Sequence, residues 1–238
     1  MRSIARVVTP LVTIAAVSIG GAAPSAQQSE LDPQIVKLVG AISEERLGVI
    51  LKKLESFETR SSLSSTTSAT RGIGAARQWI FDEMKSYSPK LQVSFDAYQV
   101  AKQGRVNRDV EMRNVMAVLP GRSPRRIYIS GHYDSLAREG GQGASNAGKQ
   151  VAFNAPPVDP NGPEDNLAPG VNDDGSGTAL AIELARVFSQ SGIEFDATLV
   201  FMAHVGEEQG LLGAWLHAKK AVDQKIPIQA VLNNARLT

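Results

Sequence analysis

The chain has no cysteine, few aromatic residues and almost no net charge, and each shortage excludes a class of protein. None of its 238 residues is Cys, 5% are aromatic, and 25 basic residues stand against 24 acidic ones. Without thiols, a disulfide framework and a Cys-ligated zinc site are both excluded. Because no basic or acidic tract is present, nothing indicates a nucleic-acid groove or an electrostatic membrane patch. Any metal would therefore be held by His, Asp and Glu.

The N-terminal segment is composed differently from the rest of the chain. Two arginines are followed by a short apolar stretch and then by small residues. That order is typical of a secretory signal peptide. An uncleaved anchor is the alternative, although the stretch is short for a membrane span and contains a proline. We predict a signal peptide over 1–26, export to the periplasm or the outside of the cell, no membrane attachment after cleavage, and one domain over 27–238.

The remaining chain alternates between helix and strand patterns. Apolar residues recur at helical spacing in four segments: 35–54, 71–87, 177–188 and 211–221. Strand patterns occur in five: 92–100, 112–119, 126–130, 197–203 and 228–233. The polar segments 61–70 and 138–170 lack either period and are predicted to be loops. We expect an α/β fold with a mostly parallel mixed sheet sandwiched by helices.

Acidic residues and a histidine collect where predicted strands end or a helix begins. They lie in the motifs GHYDS, PGVNDDGSG and GEEQG: His132, Asp134, Asp173, Asp174, Glu207 and Glu208. Singly, each has a structural interpretation as a hydrogen-bonded histidine, a helix cap or solvated charge. In α/β sheets, however, ligands bind beyond the carboxyl ends of the strands. Several acids converging there need a cation, and one imidazole with carboxylates fits catalytic Zn²⁺.

The three motifs HYDS, PGVNDDGSG and GEEQGLLG, in this order, resemble the M28 family of zinc aminopeptidases. Enzymes of this family are exopeptidases with two co-catalytic zinc ions. The resemblance extends from the helical region before Arg71 to the end of the sequence. It implies zinc-dependent hydrolysis of N-terminal peptide bonds by metal-activated water, with the N-termini of peptides or proteins as substrates.

The resemblance also implies a role for each residue of the three motifs. His132 would bind one zinc, Glu208 would bind the other, and Asp173 would bridge both. Asp134 would accept the second N–H of the His132 imidazole and fix its tautomer. Glu207 would be the general base. His204 and His217 do not occupy motif positions and are predicted to be structural.

Two ligands that the resemblance leads us to expect have no counterpart. The Asp expected after the strand pattern IQAVLNN is Ala235, and no His follows it. Each zinc would then keep two protein ligands, where catalytic zinc usually has three. We therefore expect a domain without its C-terminal part, from a truncated gene product or an incomplete gene model, with reduced zinc occupancy and weak or no activity. A real shortened protein whose site is completed differently is the alternative.

Other interpretations stay open at this point. A related one-zinc enzyme, such as a glutaminyl cyclase or a carboxypeptidase-type relative, would differ in substrate-pocket residues. A non-catalytic binding protein could retain the fold without turnover. Finally, the acids could simply cap helices and solvate turns, in which case a chelator would leave stability unchanged.

Overall fold

The computed structural model describes residues 31–136 and 167–234. The predicted signal peptide, nearly all of the predicted loop 138–170, and Ala235 lie outside the described residues. The helices are α1 (Pro33–Gly40), α2 (Glu44–Glu55), α3 (Gly72–Tyr87), α4 (Ser176–Gln190) and α5 (Leu212–Asp223). The strands are β1 (Gln92–Val100), β2 (Val110–Leu119), β3 (Ser123–His132), β4 (Ala197–His204) and β5 (Ile228–Asn233). In the described part of the chain, no helix has the length and apolar character needed to cross a membrane.

The strands form one mixed sheet in the order β1-β2-β4-β3-β5. Strands β4, β3 and β5 are parallel neighbours, whereas β1 pairs with β2 and β2 pairs with β4 in antiparallel fashion. The α/β prediction is thus confirmed, with the parallel strands at one side of the sheet and an antiparallel pair at the other. The carboxyl ends of β3 and β4 lie side by side, since His132 pairs with His204 in the register.

Helices cover both faces of the sheet, and neighbouring residues of β1 show which helix covers which face. Phe95 stacks on Phe81 of α3, whereas the next residue, Asp96, contacts His217 of α5. Adjacent residues of a strand point to opposite faces. The main core therefore lies on the α3 face, where Ile80 is among the fully buried residues. The α5 face holds a smaller cluster of Tyr128, Val200 and Met202.

The single helix predicted over 35–54 is two helices in the structure. Ser43 takes an extended backbone conformation between them, and its side chain accepts a hydrogen bond from the backbone N of Arg46. A serine with this geometry is an N-cap, so a new helix starts directly after it. The periodicity of apolar residues continues across the break, which explains why a single helix was expected.

Candidate functional site

His132 is the last residue of β3, and the start of α4 holds its backbone. Its backbone N donates to Asp174 Oδ2 at 2.9 Å, and Thr178 Oγ1 donates to its carbonyl at 2.8 Å. Asp174 also accepts from the backbone N of Gly177 at 3.0 Å, as a helix-capping carboxylate does. A Cβ on Gly131 would lie 2.6 Å from the Gly177 carbonyl carbon, so glycine permits this close approach. The arrangement brings the strand end and the helix start together.

The His132 imidazole faces carboxylates on both sides. Its Nε2 lies 3.3 Å from Asp173 Oδ1 and 3.8 Å from Glu207 Oε2. Its Nδ1 lies 3.2 Å from the Asp134 carbonyl oxygen and 3.4 Å from Asp134 Oδ1. Burial lowers the pKa of His132, but the hydrogen bonds to Asp134 and Asp173 outweigh this and raise the pKa to about 11. Residues of all three sequence motifs thus meet at the His132 imidazole.

Asp134 is fully buried and organises the turn that carries the two glutamates. Its carboxylate accepts from the backbone N of Glu207 at 3.3 Å and of Glu208 at 3.2 Å. Ser62 Oγ donates to the same carboxylate at 3.0 Å and accepts from the backbone N of Gly206 at 3.1 Å. Asp134 therefore contacts both the histidine and the glutamate turn, which fixes one relative to the other.

Asn114 holds both ends of this turn from the neighbouring strand β2. Its Oδ1 accepts from the backbone N of Val205 at 3.0 Å, and its Nδ2 donates to the carbonyl of Gly213 at 3.0 Å. Arg105 also donates to the carbonyl of Glu208 at 2.9 Å. These residues and Ser62 were missed in the sequence. Asn114 gave a usable signal as a lone amide among apolar strand residues, but Ser62 sits in a serine-rich loop and gave none.

The two glutamates lie in an excess of negative charge. Burial raises the pKa of Glu208 to about 7, and the charges of Asp134 and Asp173 act in the same direction. Burial also raises the pKa of Glu207, although the charge of His132 opposes it. Carboxylates whose pKa values rise in this way are poorly compensated by their surroundings. A divalent cation would relieve that repulsion.

The donor set at this rim fits zinc. Within residues 31–136 and 167–234, no three His, Asp or Glu side chains are arranged so that they could hold a metal ion as they stand. The donors that are present are an imidazole nitrogen and carboxylate oxygens, which are the ligands that catalytic zinc takes when no thiolate is available. His132 and Asp173 face each other, and Glu208 is held nearby through its backbone bond to Asp134.

The remaining histidines make other contacts, although His204 pairs with His132 in the strand register. His217 is buried on α5, where its Nδ1 lies 2.8 Å from Asp96 Oδ2 and its Nε2 lies 3.1 Å from the Tyr128 hydroxyl. Burial lowers the pKa of His204 to about 4, so this side chain is neutral at pH 7. Among the described residues, His204 Nδ1 is a buried atom without a hydrogen-bond partner.

An imidazole and several carboxylates at the ends of parallel strands, where α/β sheets bind their ligands, are the kind of site that a metal-dependent hydrolase uses. Comparison with known proteins identifies the family. Residues 114–235 match the profile of peptidase family M28, and the chain belongs to this family of hydrolases.

The similar curated proteins carry zinc in their names. A "Probable zinc metalloprotease" of Pyricularia oryzae is 38% identical over 216 residues, which cover 88% of this chain and 38% of the relative. One of Leptosphaeria maculans is 34% identical, covering 85% of this chain and 43% of the relative. The chain thus spans about two fifths of the length of these relatives.

Solved structures share the fold. LapB from Legionella pneumophila superimposes with a TM-score of 0.61 at 22% identity, covering 86% of this chain and 46% of that one. The LapA aminopeptidase of the same organism gives 0.59 at 20% identity, with 87% and 47% covered. A glutaminyl cyclase from Porphyromonas gingivalis gives 0.56 at 15% identity, with 82% and 60% covered. These likenesses, together with the family match, confirm the predicted fold class and family.

Proposed function

We propose that this chain carries the water-activating part of a zinc-dependent exopeptidase of aminopeptidase type, acting on the N-termini of peptides or proteins. The observation that supports it is the convergence on one imidazole: His132 Nε2 lies 3.3 Å from Asp173 Oδ1 and 3.8 Å from Glu207 Oε2. The likeness to the LapA aminopeptidase supports the aminopeptidase assignment. The signal-peptide pattern supports export, so the substrates would be periplasmic or extracellular.

Each residue of the cluster takes the role that its position allows. His132 and Glu208 would each hold one zinc ion, and Asp173, which faces His132, would be a ligand shared by both. Asp134 approaches His132 Nδ1 and fixes which ring nitrogen is free for the metal. Zinc, when bound, would polarise the scissile carbonyl and lower the pKa of a bound water towards neutrality.

Glu207 is the general base. Its side chain is partly exposed at the rim, so the attacking water can reach Oε2. Its raised pKa lies closer to neutral pH than that of an ordinary glutamate, which suits a group that must both accept and release a proton. Glu207 Oε2 would take the proton from the attacking water and deliver it to the departing amine. Such help typically contributes about 10²–10⁴-fold in rate.

A second candidate is cyclisation of N-terminal glutamine. The favouring observation is that glutaminyl cyclases superimpose on this chain about as well as the aminopeptidases, with TM-scores of 0.56 and 0.59 for those from Porphyromonas gingivalis and Fimbriiglobus ruber. Both reactions start at an N-terminal residue and use a carboxylate that moves a proton. The substrate separates them.

The test compares two substrates with one preparation. The full chain is loaded with zinc, dialysed gently and analysed for retained metal. It is then assayed with a leucine anilide and with an N-terminal glutaminyl peptide. Retained zinc with anilide hydrolysis supports the proposal, whereas cyclisation alone favours the second candidate.

Because Ala235 stands where an Asp is expected, a version extended by the C-terminal part of the Pyricularia relative is assayed in parallel. Activity of the extended version alone would mean that this chain lacks ligands that turnover requires. If neither version retains zinc nor acts on either substrate, the proposal is wrong.

A further inference from the structure

Arg60 is the largest fully buried side chain among the described residues, and its guanidinium joins three segments. Nε donates to the carbonyl of Tyr133 at 2.7 Å. Nη1 donates to the carbonyls of Leu54 at 3.1 Å and Pro169 at 2.6 Å, and Nη2 donates to that of Gly170 at 2.9 Å. The end of α2, the chain after β3 and the chain entering the Asp173 turn therefore meet at one side chain.

All four of these hydrogen bonds end on main-chain carbonyl oxygens, which do not neutralise a charge. Removing a cation from water is costly unless it is compensated. Burial lowers the pKa of Arg60 to about 10, and the charges of Asp134 and Asp174 act in the opposite direction. These are the two fully buried carboxylates that hold the glutamate turn and the His132 backbone. The buried cation thus interacts electrostatically with both carboxylates that support the site.

The backbone of Arg60 reinforces the same junction. Its N donates to Ser135 Oγ at 3.1 Å, and its carbonyl accepts from the Ser135 N at 3.1 Å. Ser135 Oγ in turn donates to the Ala168 carbonyl at 2.6 Å, while the Ala168 N donates to the Glu58 carbonyl at 2.8 Å. The chain is therefore tied to the segment 58–60 both where it leaves the site and where it returns.

The clamped positions flank the proposed zinc ligands. Tyr133 lies between His132 and Asp134 in the sequence, and Gly170 lies three residues before Asp173. Gly170 has φ +45°, and a Cβ there would lie 2.6 Å from Ser135 Cβ. The same Cβ would lie 3.0 Å from Arg60 Nη2, so the two segments are closely packed beside the guanidinium.

We infer that Arg60 is a positioning residue of the metal site, whose guanidinium sets the separation of His132 and Asp173 by binding the backbone beside each of them. This inference rests on the proposed function. Arg60 lies before the residues that match the family profile, 114–235. It binds neither substrate nor metal and acts through the backbone of the two ligands.

The test compares Arg60→Gln with Arg46→Gln in the full chain. Arg46 is a matched control because it also bonds across the fold, to Glu183 at 3.0 Å and Glu83 at 3.2 Å, but away from the site. Zinc affinity is measured by competition with a chromogenic chelator, well below both melting temperatures. We expect both variants to have a lower melting temperature than the parent. Only Arg60→Gln should lose about 10–100-fold in zinc affinity, which is the typical cost of changing a residue that holds a metal ligand in place. Arg60→Lys keeps the charge but lacks the planar guanidinium with its several N–H donors. Its zinc affinity should therefore lie between those of the parent and Arg60→Gln.

Hydrogen exchange of the peptide spanning 133–135 gives a readout that does not need zinc. Faster exchange there in Arg60→Gln, but not in Arg46→Gln, is expected. Folded Arg60→Gln with parental zinc affinity would overturn the inference. If only the extended version binds zinc, the variants are compared in that version. If neither version binds zinc or acts on either substrate, the proposed function fails, and unchanged exchange at 133–135 overturns the clamp separately. If Arg60→Gln does not fold, Arg60→Lys is measured instead, and parental affinity and exchange in that variant count against the inference.

Discussion

Asp96 and Asp134 are both buried carboxylates beside a histidine, yet their surroundings differ. Asp96 receives His217 Nδ1 at 2.8 Å, Lys220 Nζ at 2.7 Å and the Tyr98 hydroxyl at 2.6 Å. Burial alone would raise the pKa of Asp96, but the hydrogen bonds from His217 and Lys220 outweigh it and hold the pKa well below its usual range. In this cluster Lys220 supplies the positive charge that balances Asp96, so no added cation is needed.

The cluster around His132 has the opposite balance. One imidazole faces Asp134, Asp173 and Glu207, and burial with the neighbouring carboxylates raises the pKa of Glu208 to about 7. Local positive charge is too small for the number of carboxylates. The comparison teaches that a buried histidine–carboxylate pair is not diagnostic by itself. A surplus of carboxylates with raised pKa values marks the cluster that requires an added cation.

The largest effect is expected from Glu207→Gln in a form of the protein that turns over. Removing the general base should lower kcat by about 10²–10⁴-fold. The melting temperature of the metal-free protein should stay the same or rise, because an amide removes one repelling charge. Anilide kinetics and thermal melts measure the two quantities. A clear fall in melting temperature would mean that Glu207 is a stabilising group like Asp96.

The next effect is expected from Asp134→Asn. The amide cannot accept the backbone N–H groups of Glu207 and Glu208 as a carboxylate does, and it no longer fixes the His132 tautomer. Zinc affinity should fall by about 10–100-fold. Asp82→Asn on α3 is the control and should leave affinity unchanged, because the exposed Asp82 side chain accepts hydrogen bonds from Gln78 on the same helix. Equal zinc affinities in the two variants would show that Asp134 does not support the zinc ligands.

Asp96→Asn should change stability and not the site. Hydrogen bonds to a charged group contribute about 1.5–3 kcal/mol, and His217 and Lys220 would lose their carboxylate partner, so the free energy of unfolding should fall by about that amount. Urea denaturation gives the free energy, and chelator competition gives zinc affinity, which should stay within about two-fold. A larger loss of zinc affinity would show that the two clusters are coupled, for example through Asn114, which approaches Asp96.

The smallest effect is expected in the pH dependence of stability at acidic pH. Because the pKa of Asp96 is lower in the folded than in the unfolded state, its contribution is present above its unfolded pKa of about 3.9 and is lost as pH falls below that value. The stability difference between the parent and Asp96→Asn should therefore shrink between about pH 5 and about pH 2. Melting curves across that range measure it. A difference that stays constant would mean that charge at Asp96 contributes nothing.

Local patterns predicted the fold, and they singled out the residues that the structure brings together around His132, because both leave short-range signals. Strand patterns that end shortly before His132 and Glu207 placed those residues at one edge of the sheet. The break at Ser43 was not predicted, since apolar periodicity continues through it. Arg60 and Ser62 were missed because their roles depend on contacts more than seventy residues away in the sequence.

The junction of Ser135 with Ala168 has a consequence for the stretch of chain between them. The chain leaves the site at one end of that hydrogen bond and comes back at the other, so the stretch between them begins and finishes at fixed points. Doubling the length of a chain segment whose ends are already joined costs only about 0.6 kcal/mol in closure entropy. A change in the length of this stretch would therefore cost little free energy and would leave Ser135 and Ala168 joined beside the candidate site.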